Sequence, residues 1–136
     1  MPFNPTKYYR ERYQNDKAFR ELRKISIKKS QQKYPFRTWA QHTLKSHKRK
    51  RIEIILTRMQ IEKMAEKIST CPLCNCMLTY NKSFSDCSAS LDRIDNAKGL
   101  SIDNTQILCY RCNNAKRTMN MIEFKIWITK VYFKLQ

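Results

Sequence analysis

Three consecutive runs decide the fold. They are Ser90-Leu91-Asp92-Arg93-Ile94-Asp95-Asn96-Ala97-Lys98-Gly99, Asp103-Asn104-Thr105-Gln106-Ile107-Leu108-Cys109 and Cys112-Asn113-Asn114-Ala115-Lys116. The first reads as a strand ending in a turn. Gly99, the single glycine of the chain, falls where a turn tolerates positive φ. Thr105 to Leu108 reads as a short second strand, and a helix is expected to begin around the cysteines that follow it. The order is strand, turn-rich loop, strand, helix, or ββα.

Cysteines flank these runs. Cys71-Pro72-Leu73-Cys74 lies upstream and Cys109-Tyr110-Arg111-Cys112 lies 34 residues further on. Two CxxC knuckles offer four thiolates from two tight turns, which suits a structural, tetrahedral Zn²⁺. A redox CxxC comes singly in a βαβ setting, which this sequence lacks. Cys76 and Cys87 are left over and read as small buried thiols.

The 136 residues carry 28 Lys+Arg and 11 Asp+Glu, a formal charge of +17. That charge calls for a polyanion as partner. One glycine excludes Gly-rich phosphate loops and dinucleotide fingerprints. No apolar run approaches the roughly 18 residues of a membrane span, and an anionic membrane surface, the other polyanion the charge allows, would not call for a cysteine-framed site, so no membrane partner is expected. The opening Met1-Pro2-Phe3-Asn4-Pro5 lacks a basic-then-apolar signal pattern, so a cytoplasmic, intracellular location is expected, viral or mobile-element origin included.

The charge is unevenly placed. Residues 1–70 hold 19 basic and 6 acidic side chains, and residues 71–136 hold 9 and 5. Three segments are expected. Residues 1–36 form a basic, aromatic-rich helical arm, with one loosely periodic helix from about Tyr8 to Gln32. Residues 37–70 form a helix–strand–helix DNA-binding adaptor. Its first helix runs from Trp39 to about Arg49 behind a Thr38/Gln41 capping box, Ile52 to Leu56 form a strand, and a second capping box at Thr57/Gln60 starts a helix to about Ile68. Residues 71–136 form the cysteine-framed domain. Its last helix, opened by Asn120 and Glu123, carries an apolar stripe of Phe124, Ile128 and Val131, with Trp127 and Leu135 beside it, expected to pack back on the domain. Lys45, Lys48, Arg49, Lys50, Arg51 and Arg58 are the expected DNA-backbone contacts of the adaptor.

The four-cysteine frame, Leu91-Asp92-Arg93-Ile94-Asp95, the Asp103-Asn104 pair and Cys112-Asn113-Asn114-Ala115-Lys116 together resemble the HNH, or ββα-metal, endonucleases in their zinc-stapled version. The resemblance covers about Cys71 to Met121. It implies an α+β fold with a ββα-metal nuclease core, a mainly helical basic N-terminal region and a C-terminal helix. It implies a DNA endonuclease that hydrolyses phosphodiester bonds, of phage, mobile-element or restriction setting, with Mg²⁺ or Mn²⁺ at the site and duplex DNA as partner. Asp92 and Asn113 would hold that ion, Asn104 would fix the loop, and Lys116 would touch phosphate. A palindromic target would call for a homodimer.

One position departs from the family. The residue after the metal-binding acid, ordinarily the general-base histidine, is Arg93, which cannot accept a proton near neutrality. Three outcomes stay open. Asp95 takes the proton. The metal activates water without a protein base, Arg93 steadying the phosphate. Or the site is weakened, leaving a zinc-containing DNA- or RNA-binding protein; an RNA-binding factor would use the aromatic-basic arm on single strands. His42 and His47, both in the adaptor, read as surface or packing residues rather than as the missing base.

Overall fold

The computed structural model describes residues 3–136. Met1 and Pro2, the start of the stretch read for a signal pattern, lie outside the described residues. The chain divides into two units, Met1–Pro35 and Phe36–Gln136.

In the first unit the expected single helix is two. Helix α1 spans Pro5–Asn15 and α2 spans Lys17–Lys33. Asp16 breaks the run. Its backbone is extended and its carboxylate accepts the Phe19 N–H at 2.9 Å, so it caps α2. Short polar side chains bond nearby backbone outside helical geometry, and that preference overrode the periodicity. Arg12 lies 4.6 Å over the Phe19 ring, and Tyr9 stacks on Phe19. Among the described residues, none in α1 or α2 is buried.

Helix α3 spans Pro35–Arg49, all but its first residue in the second unit, and α4 spans Arg58–Lys67. The α3 start is a correction. The helix begins at Pro35, a residue whose fixed φ suits a first helical position, so Thr38 lies inside it and does not cap it. The Thr38 hydroxyl accepts Asn81 Nδ2 at 2.6 Å instead. The Thr57/Gln60 capping box of α4 is present as read. Ile52 to Leu56 is not a strand. One parallel bridge joins Ile54 to Leu100, and Ile55 is exposed, because this segment pairs with a loop that offers few partners.

Strand β1 (Ala89–Arg93) pairs antiparallel with β2 (Thr105–Cys109), and α5 (Tyr110–Lys116) follows β2 directly. A two-stranded ribbon is marginal by itself and needs cover. Side chains alternate across it. Leu91 and its register partner Ile107 join a core with Trp39 and Ala40 of α3, Ile61 and Ala65 of α4, and Leu56, Leu78 and Leu100. Ser90 and Asp92 point the other way, onto α5. The ribbon is therefore covered on both faces, which is why a charged residue of β1 is buried. Residues 37–70 and the cysteine-framed part share this one core. Trp39 anchors it: its indole N–H donates to Ala89 O at 3.1 Å, and Tyr80 packs edge-on to it.

Gly99 has negative φ, so the expected left-handed turn is absent. Its smallness is needed for a close approach, since a Cβ there would sit 2.7 Å from Glu53 O.

Helix α6 (Met121–Leu135) begins with the Asn120/Glu123 capping box as read. Its stripe does not pack back as expected. Phe124 is buried and stacks on Trp127, but Trp127, Ile128, Val131 and Leu135 are exposed, so most of the stripe faces outward. Among the described residues no helix is long and apolar enough to cross a membrane.

Candidate functional site

The two knuckles converge. The Sγ atoms of Cys71, Cys74, Cys109 and Cys112 all lie within 4.8 Å of one another. Four thiolates about 2.3 Å from a tetrahedral zinc are separated by roughly 3.8 Å, so the group can hold a metal ion such as zinc. Local structure places each ligand. Asn75, in the left-handed region at φ 60°, closes the first knuckle and donates its N–H to Cys71 O. Cys109 ends β2 and caps α5, its sulfur accepting the Cys112 N–H at 3.3 Å. Cys71 sulfur accepts the Cys109 N–H at 3.4 Å. The backbone N–H of Cys76 brings the Cys74 thiol down to about 6, and burial pushes Cys112 and Cys109 up. Cys76 and Cys87 are half-buried rather than buried.

The second centre lies between β1 and α5. Asp92 is 4% exposed and Lys116 0%. Lys116 Nζ donates to Asp92 Oδ1 at 3.1 Å and to Arg93 O at 2.7 Å. Asp92 Oδ2 accepts Gln106 Nε2 at 2.8 Å, a bond that follows from register, since Gln106 is the cross-strand partner of Asp92. Lys116 is thus not placed to touch phosphate, contrary to expectation. It is buried by the need to neutralise Asp92, because an isolated carboxylate under a helix would be costly.

Asn104 is the hinge pin of the interstrand loop. Its Oδ1 accepts the Asp95 N–H at 2.8 Å, and its Nδ2 donates to Asp95 O at 2.9 Å and Gly99 O at 2.8 Å. Asp95 is engaged locally, with Oδ1 accepting the Ala97 N–H and Oδ2 3.7 Å from Lys98 Nζ. Arg93 turns its guanidinium to the loop as well, donating to Asn96 O at 2.9 Å and Lys98 O at 3.2 Å.

Asn113 projects from α5, and its Nδ2 donates to Ser90 Oγ at 2.5 Å. An Mg²⁺ or Mn²⁺ ion shared by Asp92 and Asn113 would need free oxygens and room for its own waters. Asp92 offers neither: an ammonium holds one oxygen, an amide holds the other, and the carboxylate is buried. The pair as arranged does not fit a divalent ion.

What is open is a shallow cleft of about 360 Å³ beside Asn113, lined by Lys50, Ser90, Tyr110, Asn113, Asn114, Arg117 and Thr118. Arg117 ends α5 at φ 50°, an uncommon conformation for a residue with a Cβ. Sequence reasoning missed Arg117, Ser90 and Gln106. Arg117 follows directly on the Cys-Asn-x-x-Lys run, and that adjacency was the signal available. Lys45, Lys48, Arg49, Lys50 and Arg51 are exposed at and beyond the end of α3. Arg58 is committed to an ion pair with Glu62.

His47 stands eight residues after Trp39 on α3 and is half-buried. The charges of Arg93 and Lys50 both bear on His47. Its Nδ1 sits 2.8 Å from Thr43 O. A carbonyl only accepts, so Nδ1 carries the hydrogen and Nε2 keeps its lone pair. Burial first, then Lys50 and Arg93, hold its pKa below the usual 6.5, against a raising contribution from the Thr43 bond.

No family model matches the chain, and no solved structure matches it. A protein of Acanthamoeba polyphaga mimivirus, described as uncharacterized protein R423, is 34% identical over 87 residues. The match covers 62% of this chain and 15% of the viral protein, so the chain spans only a small part of that relative's length.

Proposed function

We propose that the chain acts on DNA as an endonuclease of the HNH type, with a structural zinc in the four-cysteine cluster and the phosphodiester bound in the Lys50–Asn113–Arg117 cleft. The observation that carries this reading is the cleft itself: two exposed cations and an amide-bearing helix face meet beside the ribbon of a cysteine-framed ββα element. Lys50 and Arg117 neutralise the non-bridging oxygens, where charge builds during cleavage. Asn113 and Ser90 supply polar contacts at the same wall. His47, three residues before Lys50, accepts a proton from the attacking water through Nε2, since Nδ1 faces Thr43 O and burial with Lys50 and Arg93 disfavours its charged form, while the P–O bond to the leaving oxygen breaks and that oxygen takes a proton from solvent. Charge neutralisation therefore comes from the chain's own side chains. The exposed Lys48–Arg51 run extends the phosphate-binding surface.

One observation favours a second reading, a zinc-containing nucleic-acid-binding protein that does not cut. It is the Asp92–Lys116 pair, which takes the expected metal ligand out of service. The test is plasmid nicking by zinc-loaded protein in buffer stripped of other divalent ions, beside duplex-DNA binding by the same sample. Nicking that is lost in Lys50→Ala/Arg117→Ala supports the endonuclease. Tight binding with no nicking, with or without Mg²⁺ or Mn²⁺, replaces it with the second reading. Nicking undiminished in the double variant means the cleft is not the site.

A further inference from the structure

We infer that the Lys116 ammonium is the resident cation of the Asp92 carboxylate and closes this position to divalent metal ions. The inference concerns the Asp92 pocket and is independent of whether DNA is cut at the neighbouring cleft.

The pocket is built from hard oxygens. Asp92 Oδ1 and the Arg93 carbonyl oxygen converge on one point, and Lys116 Nζ occupies it at 3.1 and 2.7 Å. Carboxylate and backbone carbonyl are the donor types that Mg²⁺ and Mn²⁺ prefer. The pocket thus has the chemistry of a metal site and the contents of an ion pair. Lys116 reaches it from the last turn of α5, and both charges are almost wholly buried. Gln106 completes the shell by donating to Asp92 Oδ2. Net charge is already balanced, because one carboxylate meets one ammonium. A divalent ion entering beside Lys116 would face like-charge repulsion at low dielectric. An ion replacing it would have to expel the ammonium from two hydrogen bonds and desolvate itself.

Removing the ammonium while keeping its volume should reverse the balance. Lys116→Met leaves the same two oxygens around an uncompensated carboxylate, and Lys116→Gln leaves a neutral donor for Arg93 O. The probe is Mn²⁺ alone, added to full-length protein already loaded with zinc and followed by electron paramagnetic resonance of free Mn²⁺. Wild type should bind no Mn²⁺ in a manner that depends on Asp92. Lys116→Met should bind one equivalent at least tenfold more tightly than wild type, and Asp92→Asn/Lys116→Met should lose it. Mn²⁺ should also raise the melting temperature of Lys116→Met but not that of wild type, since a ligand of the folded state stabilises it. Lys116→Gln serves the same titration if Lys116→Met does not fold. Mn²⁺ binding by wild type that disappears in Asp92→Asn overturns the inference. So does a folded Lys116 variant that binds no better than wild type. Loss of nicking with these outcomes intact would count against the endonuclease and leave the inference standing.

Discussion

Glu53 and Gly99 touch backbone to backbone. A Cβ on Gly99 would lie 2.7 Å from Glu53 O, and the next N–H, that of Leu100, donates to this oxygen at 2.9 Å. Leu100 O in turn accepts the Ile55 N–H. The segment between α3 and α4 is thereby fastened to the loop between the two strands, and Lys50 lines a cleft with Ser90 of β1. Gly99→Ala should destabilise the second unit by about 1–3 kcal/mol through overpacking, although its φ suits alanine. Chemical denaturation would check this; a stabilised Gly99→Ala would mean that the strand connection yields easily.

The buried ion pair makes an asymmetric forecast. Asp92→Ala strands an ammonium with no compensating charge, and Lys116→Ala strands a carboxylate. Each should cost about 3–5 kcal/mol, whereas Asp92→Asn/Lys116→Met, neutral and similar in volume, should cost distinctly less. Equilibrium unfolding of the three variants measures the difference. Equal losses in single and double variants would show that packing, not charge, sets the effect.

Zinc, if bound by the four cysteines, contributes folding energy. Chelation, or Cys109→Ser, should unfold the second unit around β2 and α5, because Cys109 both joins the cluster and caps the helix. Metal analysis should find one zinc per chain in wild type. Retained near-ultraviolet circular dichroism after complete metal removal would contradict this role.

His47 gives the pH dependence. A base works in its deprotonated form, and the His47 pKa lies below 6.5 because burial and neighbouring Lys50 and Arg93 disfavour its charge. Nicking should therefore be level near neutrality and fall as pH drops below 6.5. His47→Ala should reduce the rate by about 100-fold or more, the usual worth of a positioned base. An acid limb above pH 6.5, or one unchanged in His47→Ala, would assign the proton to another group.

DNA affinity should fall steeply with salt. Each phosphate neutralised contributes a slope of about −0.9 in log affinity against log salt. Replacing Lys48 and Arg49 with alanine should flatten the slope by up to about 2 and weaken all duplex sequences alike. An unchanged slope would remove this exposed run from the interface.

Several features were legible because they are local. The Thr57/Gln60 and Asn120/Glu123 capping boxes are read within four residues, and the two CxxC knuckles carry their own turns. The strand–loop–strand–helix order followed from composition and turn residues. Errors arose where a nearby preference competed with periodicity. Asp16 capped a second helix inside an apparently continuous one, and Pro35 opened α3 ahead of the Thr38 signal. The stripe on α6 was real as a pattern, but a pattern does not reveal what will cover it, and of these residues only Phe124 is buried.

By itself, then, the sequence determined the ββα order, the convergence-ready cysteines and the concentration of charge in residues 1–70, since spacing and composition suffice for these. Tertiary structure decided what Asp92 is for. Its partner Lys116 stands 24 residues away, its second partner Gln106 is chosen by strand register, and its burial requires a helix on the far face of the ribbon. It also brought Lys50, just past the end of α3, beside Ser90 of β1. Charge neutralisation acts through space over a few ångströms, and only the folded chain fixes which charges lie that close.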